Sequence, residues 1–127
     1  MAEVKATLSV LPLTPYNEPV QASLEPREQY ITKVVVWFRR NQAGLVGVAL
    51  FDRENRILPD KHSLDDWLYG DGQRQEFEMD YDLGAGPHLL HVRAYSDDDL
   101  YTRKIEVTVT VFDVSLRRLA EQRSRTD

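Results

Sequence analysis

Three histidines, His62, His88 and His91, are the residues best suited by type to metal or acid–base chemistry in this chain. His88 and His91 stand three apart in an alternating stretch. A strand would point them to opposite faces, where they cannot hold one metal together. His62 is remote in sequence, and no Glu-x-x-His spacing accompanies any of the three, so they read as surface or rim residues. A serine nucleophile would need a Gly-x-Ser-x-Gly turn with a paired histidine, and the chain has neither. Gly70-Asp71-Gly72 and Gly84-Ala85-Gly86 are too short to cradle a phosphate and suit turns that need positive φ.

Carboxylates are more abundant: Asp65 and Asp66, Asp71, Asp80 and Asp82, and the run Asp97-Asp98-Asp99. Calcium takes six to eight oxygens converging from loops, and Asp97 to Asp99 with Asp71 could supply some of them. The regular Asp-x-Asp-x-Asp-Gly spacing of a dedicated calcium loop is missing, so these acids read first as solvated turn and edge residues. Calcium is the one cofactor left open. A glycosidase-type pair needs two carboxylates at a set separation, and no two of these are marked as buried together. The expectation is a protein that is not an enzyme.

Aromatic residues offer a different chemistry. Trp37, Trp67, Tyr69, Tyr95 and Tyr101 could stack on a sugar ring or anchor a protein interface, where Trp and Tyr are favoured. Near the C-terminus Leu116 and Leu119 share a face at helical spacing among four arginines, and they complete the set of candidate interaction residues.

Composition narrows the partners. The chain has 127 residues, 42% hydrophobic and 29% charged, which suits one domain with a real core. Cysteine is absent, so disulfides, thiolate metal sites and cysteine nucleophiles are excluded together. The net charge of −5 argues against nucleic acid, whose phosphates need a positive footprint. No apolar run is long enough to span a membrane, and no basic-then-apolar leader opens the chain. A cytoplasmic or virion location is expected. The charge is uneven: from Asp113 onward four Arg face three acids, a net +1, so residues 1–112 carry −6.

These side chains need elements to hold them, and period-2 alternation recurs from end to end. Val4, Ala6, Leu8 and Val10 alternate with polar residues; Pro12, Pro15 and Pro19 then mark a crossover at 12–19, since proline cannot donate to a ladder. A short strand follows through Val20, Ala22 and Leu24. Tyr30 to Arg40 is the strongest β segment, with Val34, Val36 and Phe38 on the core face and Trp37 opposite. Gly44 to Phe51 is apolar on both faces, as a central strand would be. Residues 60–72 form one long connection that could hold a helical turn from Ser63. Phe77, Met79, Tyr81 and Leu83, then Leu90, Val92 and Ala94, then Ile105 to Val111 give three more half-buried strands. The fold class expected is all-β: an antiparallel β-sandwich, Ig-like or jelly-roll-like, of seven to eight strands over residues 1–112. Residues 113–127 would be an arginine-rich helix, capped by Ser115, or a tail.

The segment Gly84 to Tyr95, followed by a turn and an alternating Val/Thr strand, resembles the final hairpin of immunoglobulin-like and fibronectin-type sandwiches, with His88 standing where their tyrosine would. The overall plan of an acidic, cysteine-free sandwich with a proline-rich leader resembles small accessory proteins of tailed-phage particles. That resemblance implies a non-catalytic structural module working by protein–protein contacts, through self-association or on a larger shell. The alternative expectation is a carbohydrate-binding or adhesion module using exposed Trp and Tyr.

Overall fold

Alternation makes each strand one-sided, and two sheets must then meet to cover the apolar sides. The computed structural model, which describes residues 2–40 and 44–115, has eight strands: β1 (Ala2–Val10), β2 (Val20–Leu24), β3 (Tyr30–Phe38), β4 (Val46–Asp52), β5 (Asn55–Leu58), β6 (Gln73–Asp82), β7 (Leu90–Ser96) and β8 (Arg103–Phe112). They form two four-stranded antiparallel sheets. Sheet A runs β1-β8-β3-β6 and sheet B runs β2-β7-β4-β5.

The pairing is nested. β1 pairs with β8, β2 with β7, β3 with β6 and β4 with β5, each antiparallel. The chain is thus one long hairpin with its turn at Arg53–Glu54, rolled so that successive pairs fall in alternate sheets. That is the strand order of a jelly roll. The resemblance to an immunoglobulin-like final hairpin fails on topology, because β7 lies in sheet B and β8 in sheet A. What holds of it is the coarser architecture of two packed antiparallel sheets.

The core is the interior of this roll. Val34, Val36 and Phe38 meet Ile105, Val107, Val109 and Val111 from sheet A, and Val46, Val48, Leu50, Leu90, Val92 and Ala94 from sheet B, all buried. Each Val, Leu, Ile or Phe side chain so withdrawn from water contributes about 1.5–3 kcal/mol. β4 is buried on both faces except for Phe51, as expected of a strand inside a sheet and under a loop. β6, an edge strand, buries its apolar face only partly.

Two expectations need correction. The 60–72 connection has no helical turn at Ser63; instead Leu68 pairs antiparallel with Val48, through Val48 N–H to Leu68 O at 3.0 Å and Leu68 N–H to Val48 O at 2.8 Å. Pairing beside a sheet satisfies the backbone without a helix, and it extends the edge of sheet B beyond β5. His88 is buried, not a surface histidine: its Nδ1 is 3.0 Å from Pro26 O and its Nε2 2.8 Å from Gly84 O. His88 precedes β7, whereas His91 lies on it and bonds Ser23 Oγ across to β2. The C-terminal helix or tail from Leu116 lies outside the described residues.

Candidate loop-end interface

The Leu68 bridge fixes what its neighbours do. With Leu68 turned to the core, Trp67 and Tyr69 fall on the outer face of sheet B, over the start of β4. The residue beneath them there is Gly47, registered opposite Tyr95 of β7. A Cβ at Gly47 would stand 2.2 Å from Tyr95 Cε1 and 3.0 Å from Trp67 Cβ, so glycine alone leaves room for both rings.

Tyr95 is the hub of the resulting cluster. Trp67, Tyr69 and Tyr16 each meet its ring edge-on, with centroids 4.8, 6.2 and 6.5 Å away. Such T-shaped pairs add about 0.5–1.5 kcal/mol each beyond area burial. The hydroxyls of Tyr69 and Tyr95 are hydrogen-bonded to each other. Burial, with that bond next, pushes the Tyr95 phenol up from its ordinary value. Arg56 holds the connection in place, through NH1 to Asp66 Oδ1 at 2.8 Å and NH2 to the Asp60 carbonyl at 3.1 Å.

Tyr16 arrives from the proline-rich crossover, and backbone bonds tie that crossover to the acidic turn. Leu13 N–H donates to Asp98 O at 2.8 Å, Ser96 N–H to Thr14 O at 3.0 Å, and Asp97 N–H to Leu45 O at 2.9 Å. Asp98 itself is buried, contrary to its reading as a solvated turn acid. Its Oδ1 accepts from the amides of Leu100 and Tyr101, and its Oδ2 takes Arg103 Nε at 2.5 Å. Those donors, the Leu100 amide foremost, hold its carboxyl below the usual carboxylate range against the opposing effect of burial. Its carboxylate is thus a turn-builder. Among the described residues, no three His, Cys, Asp or Glu side chains stand together as metal ligands.

Three loops from separate parts of the chain therefore meet at one end of the sandwich on a hydrogen-bonded frame. What that frame presents to solvent is apolar. Leu11 and Leu13 are 63% exposed, Leu100 72%, Tyr101 61% and Tyr16 69%. Beside this end, an open groove of about 490 Å³ runs along the outer face of sheet B. Tyr16, Phe51 and Trp67 give it apolar walls, and Glu54, Lys61 and Asp66 give it a polar rim.

The candidates from sequence are distributed as follows. Trp67, Tyr69 and Tyr95 form one cluster, in which Tyr95 is buried and supports the other two. Tyr101 stands exposed on the adjoining turn with Arg103 over its ring at 5.3 Å. Trp37 is elsewhere: it is 46% exposed on the outer face of sheet A, with Arg74 over its ring at 5.6 Å. The whole sandwich separates Trp37 from Trp67, so the two cannot grip one small ligand. Leu116 and Leu119 lie outside the described residues. Sequence reading missed Leu11, Leu13, Tyr16 and Leu100 as surface features. Leucines bracketing Pro12 are the signal that could have raised the first two, since a crossover gives apolar side chains no core to enter.

No family model, no curated protein and no solved structure matches this chain. No helix among the described residues is long and apolar enough to cross a membrane.

Proposed function

We propose that this chain is a non-catalytic interaction module that seats on a partner protein through its loop end, as an accessory subunit of a larger assembly such as a tailed-phage particle. The observation that carries the reading is the exposed set Leu11, Leu13, Tyr16, Leu100 and Tyr101 on a frame of backbone hydrogen bonds. Soluble domains rarely group large apolar side chains on a prepared surface without a partner to cover them. A rigid frame also lowers the entropy lost on binding. The jelly roll hosts capsid subunits and lectins alike, so the fold does not choose between them. The test is co-purification from the natural source with wild-type chain and with Leu13→Glu/Leu100→Glu. The double variant should lose its partner while melting at the wild-type temperature. Retention equal to wild type would overturn the reading.

The groove beside the loop end favours a second reading, carbohydrate binding. Trp67 and Phe51 line it with aromatic rings, and Glu54, Lys61 and Asp66 offer hydrogen bonds to hydroxyls. It predicts hits on a glycan array that Trp67→Ala abolishes and Trp37→Ala does not. An array without hits removes it.

A further inference from the structure

The sandwich is open along one side. β5 closes sheet B and β6 closes sheet A, and neither pairs with the other. Between them lies a groove of about 650 Å³ with Leu58, Phe77, Met79 and Tyr81 along its walls and Asp60, Glu76 and Glu78 at its rim. Phe77, Met79 and Tyr81 are only partly buried there. The strand beside the groove is strongly acidic: β6 carries Glu76, Glu78, Asp80 and Asp82 against the single Arg74. A second copy offering the same edge would oppose like charges, which disfavours pairing of two such strands.

An apolar floor with an acidic rim calls for a segment that is both apolar and basic. The chain contains one. Residues 116–127 hold Leu116, Leu119 and Ala120 together with Arg117, Arg118, Arg123 and Arg125. Its starting point is close. Phe112, at the end of β8, is registered with Tyr30, and Tyr30 is registered with Asp82 at the end of β6. Two strand spacings amount to about 10 Å. Twelve residues can span up to roughly 40 Å, more than the length of β6. Attachment to the same chain gives the segment an effective concentration on the order of millimolar at the groove.

We propose that residues 116–127 of the same chain dock in the β5–β6 groove, with Leu116 and Leu119 against Met79 and Phe77, and Arg117 and Arg118 at the rim carboxylates. This covers the apolar walls of the groove beside the acidic edge strand, and it is independent of the loop-end reading. The test is methyl NMR on the full chain labelled at Met, Leu and Val. NOEs between the Leu116 or Leu119 methyls and the Met79 methyl are expected. They should vanish in Leu116→Ser/Leu119→Ser and weaken at least several-fold in Arg117→Glu/Arg118→Glu, while the Val107 and Val109 methyl shifts report an unchanged core. Wild-type chain without these NOEs overturns the proposal. So does their appearance only between chains in a mixture of labelled and unlabelled protein, which would make a second copy the occupant.

Discussion

Gly47 and Tyr95 face each other across β4 and β7 on the outer side of sheet B, and the missing side chain of one is the space filled by the ring of the other. Everything packed on that ring depends on this vacancy: Trp67 and Tyr69 from the long connection, and Tyr16 from the crossover. A strand glycine, ordinarily a weak point in a sheet, here seats the loops that build the loop end.

Gly47→Ala should therefore be destabilising even though alanine suits a strand better than glycine does. The new methyl would overlap the Tyr95 ring, at 2.2 Å from Cε1 and 2.8 Å from Cδ1, and overpacking of this kind costs about 1–3 kcal/mol. Trp67 should move with the displaced ring. Urea unfolding followed by tryptophan emission in a Trp37→Phe background reads both effects. An unchanged midpoint and an unchanged native spectrum would show that the cluster yields without cost.

The same position marks where sequence reading stops. The runs Val34, Val36, Phe38 and Ile105 to Val111 announced their strands and their buried face, because alternation is a local property. Alternation does not say which strand lies beside which. The nested pairing of β1 with β8 and β2 with β7 joins residues about a hundred and about seventy positions apart, and the Gly84–Tyr95 resemblance suggested a different neighbour for β8. Tyr95 sits on the polar-facing side of its strand, so its burial depends on a loop that crosses it from elsewhere. Gly47 inside an apolar run was the available signal, since a strand glycine often marks a close approach. Asp98 and His88 were misjudged for a related reason. Each is buried by hydrogen bonds to backbone groups that only the finished turns bring within reach.

Tyr81 links the two sheets near the other end of the roll, its hydroxyl donating to Asp52 Oδ2 at 3.0 Å. Burial, then the bond to Asp52 and the negative charge there, push the phenol up to about 12. In the unfolded chain a tyrosine ionises near 10, so the folded state favours the neutral phenol. The stabilisation is thus fully present below about pH 10 and is lost as pH rises toward about 12. Ultraviolet titration should show a late phenolate component that shrinks by one tyrosine in Tyr81→Phe, since Tyr95, whose phenol is also pushed up, remains. That variant also leaves the buried Asp52 carboxylate short of a donor, at a cost of about 1–3 kcal/mol near neutrality. Equal stability of the two proteins at pH 7 would contradict this role.

His88 ties the segment before β3 to the turn before β7, since its ring nitrogens face the carbonyls of Pro26 and Gly84. Replacing it by Leu keeps the volume and removes the ring N–H that one of these carbonyls accepts, which should cost about 1–3 kcal/mol. His88→Gln retains an amide N–H for one of them and should recover part of the loss. Thermal melts of the three proteins give the order wild type, Gln, Leu. Leu equal to wild type would mean that water serves the carbonyl as well as the ring N–H does.

Acid should open the loop end through Asp98. The Leu100 amide, the Arg103 guanidinium and the Tyr101 amide together hold its carboxyl below the ordinary carboxylate value despite burial. A depressed folded value means that the group stabilises the fold above the unfolded pKa of about 4, and that this contribution fades as pH falls through the folded value. Asp98→Asn keeps an oxygen for the Leu100 amide and removes the charge facing Arg103. It should melt lower than wild type at neutral pH, and the two curves should converge as pH is taken from 6 to 2. Asp82, also held low by Gln29 and the Gly84 amide, keeps its acid sensitivity in both proteins, so the difference between them isolates Asp98. The Leu13 and Asp97 amides should exchange faster as the curves converge, because the crossover and Leu45 are bonded to the same turn. A melting difference that stays constant across this range would separate Asp98 from acid opening and leave its carboxylate a purely geometric part.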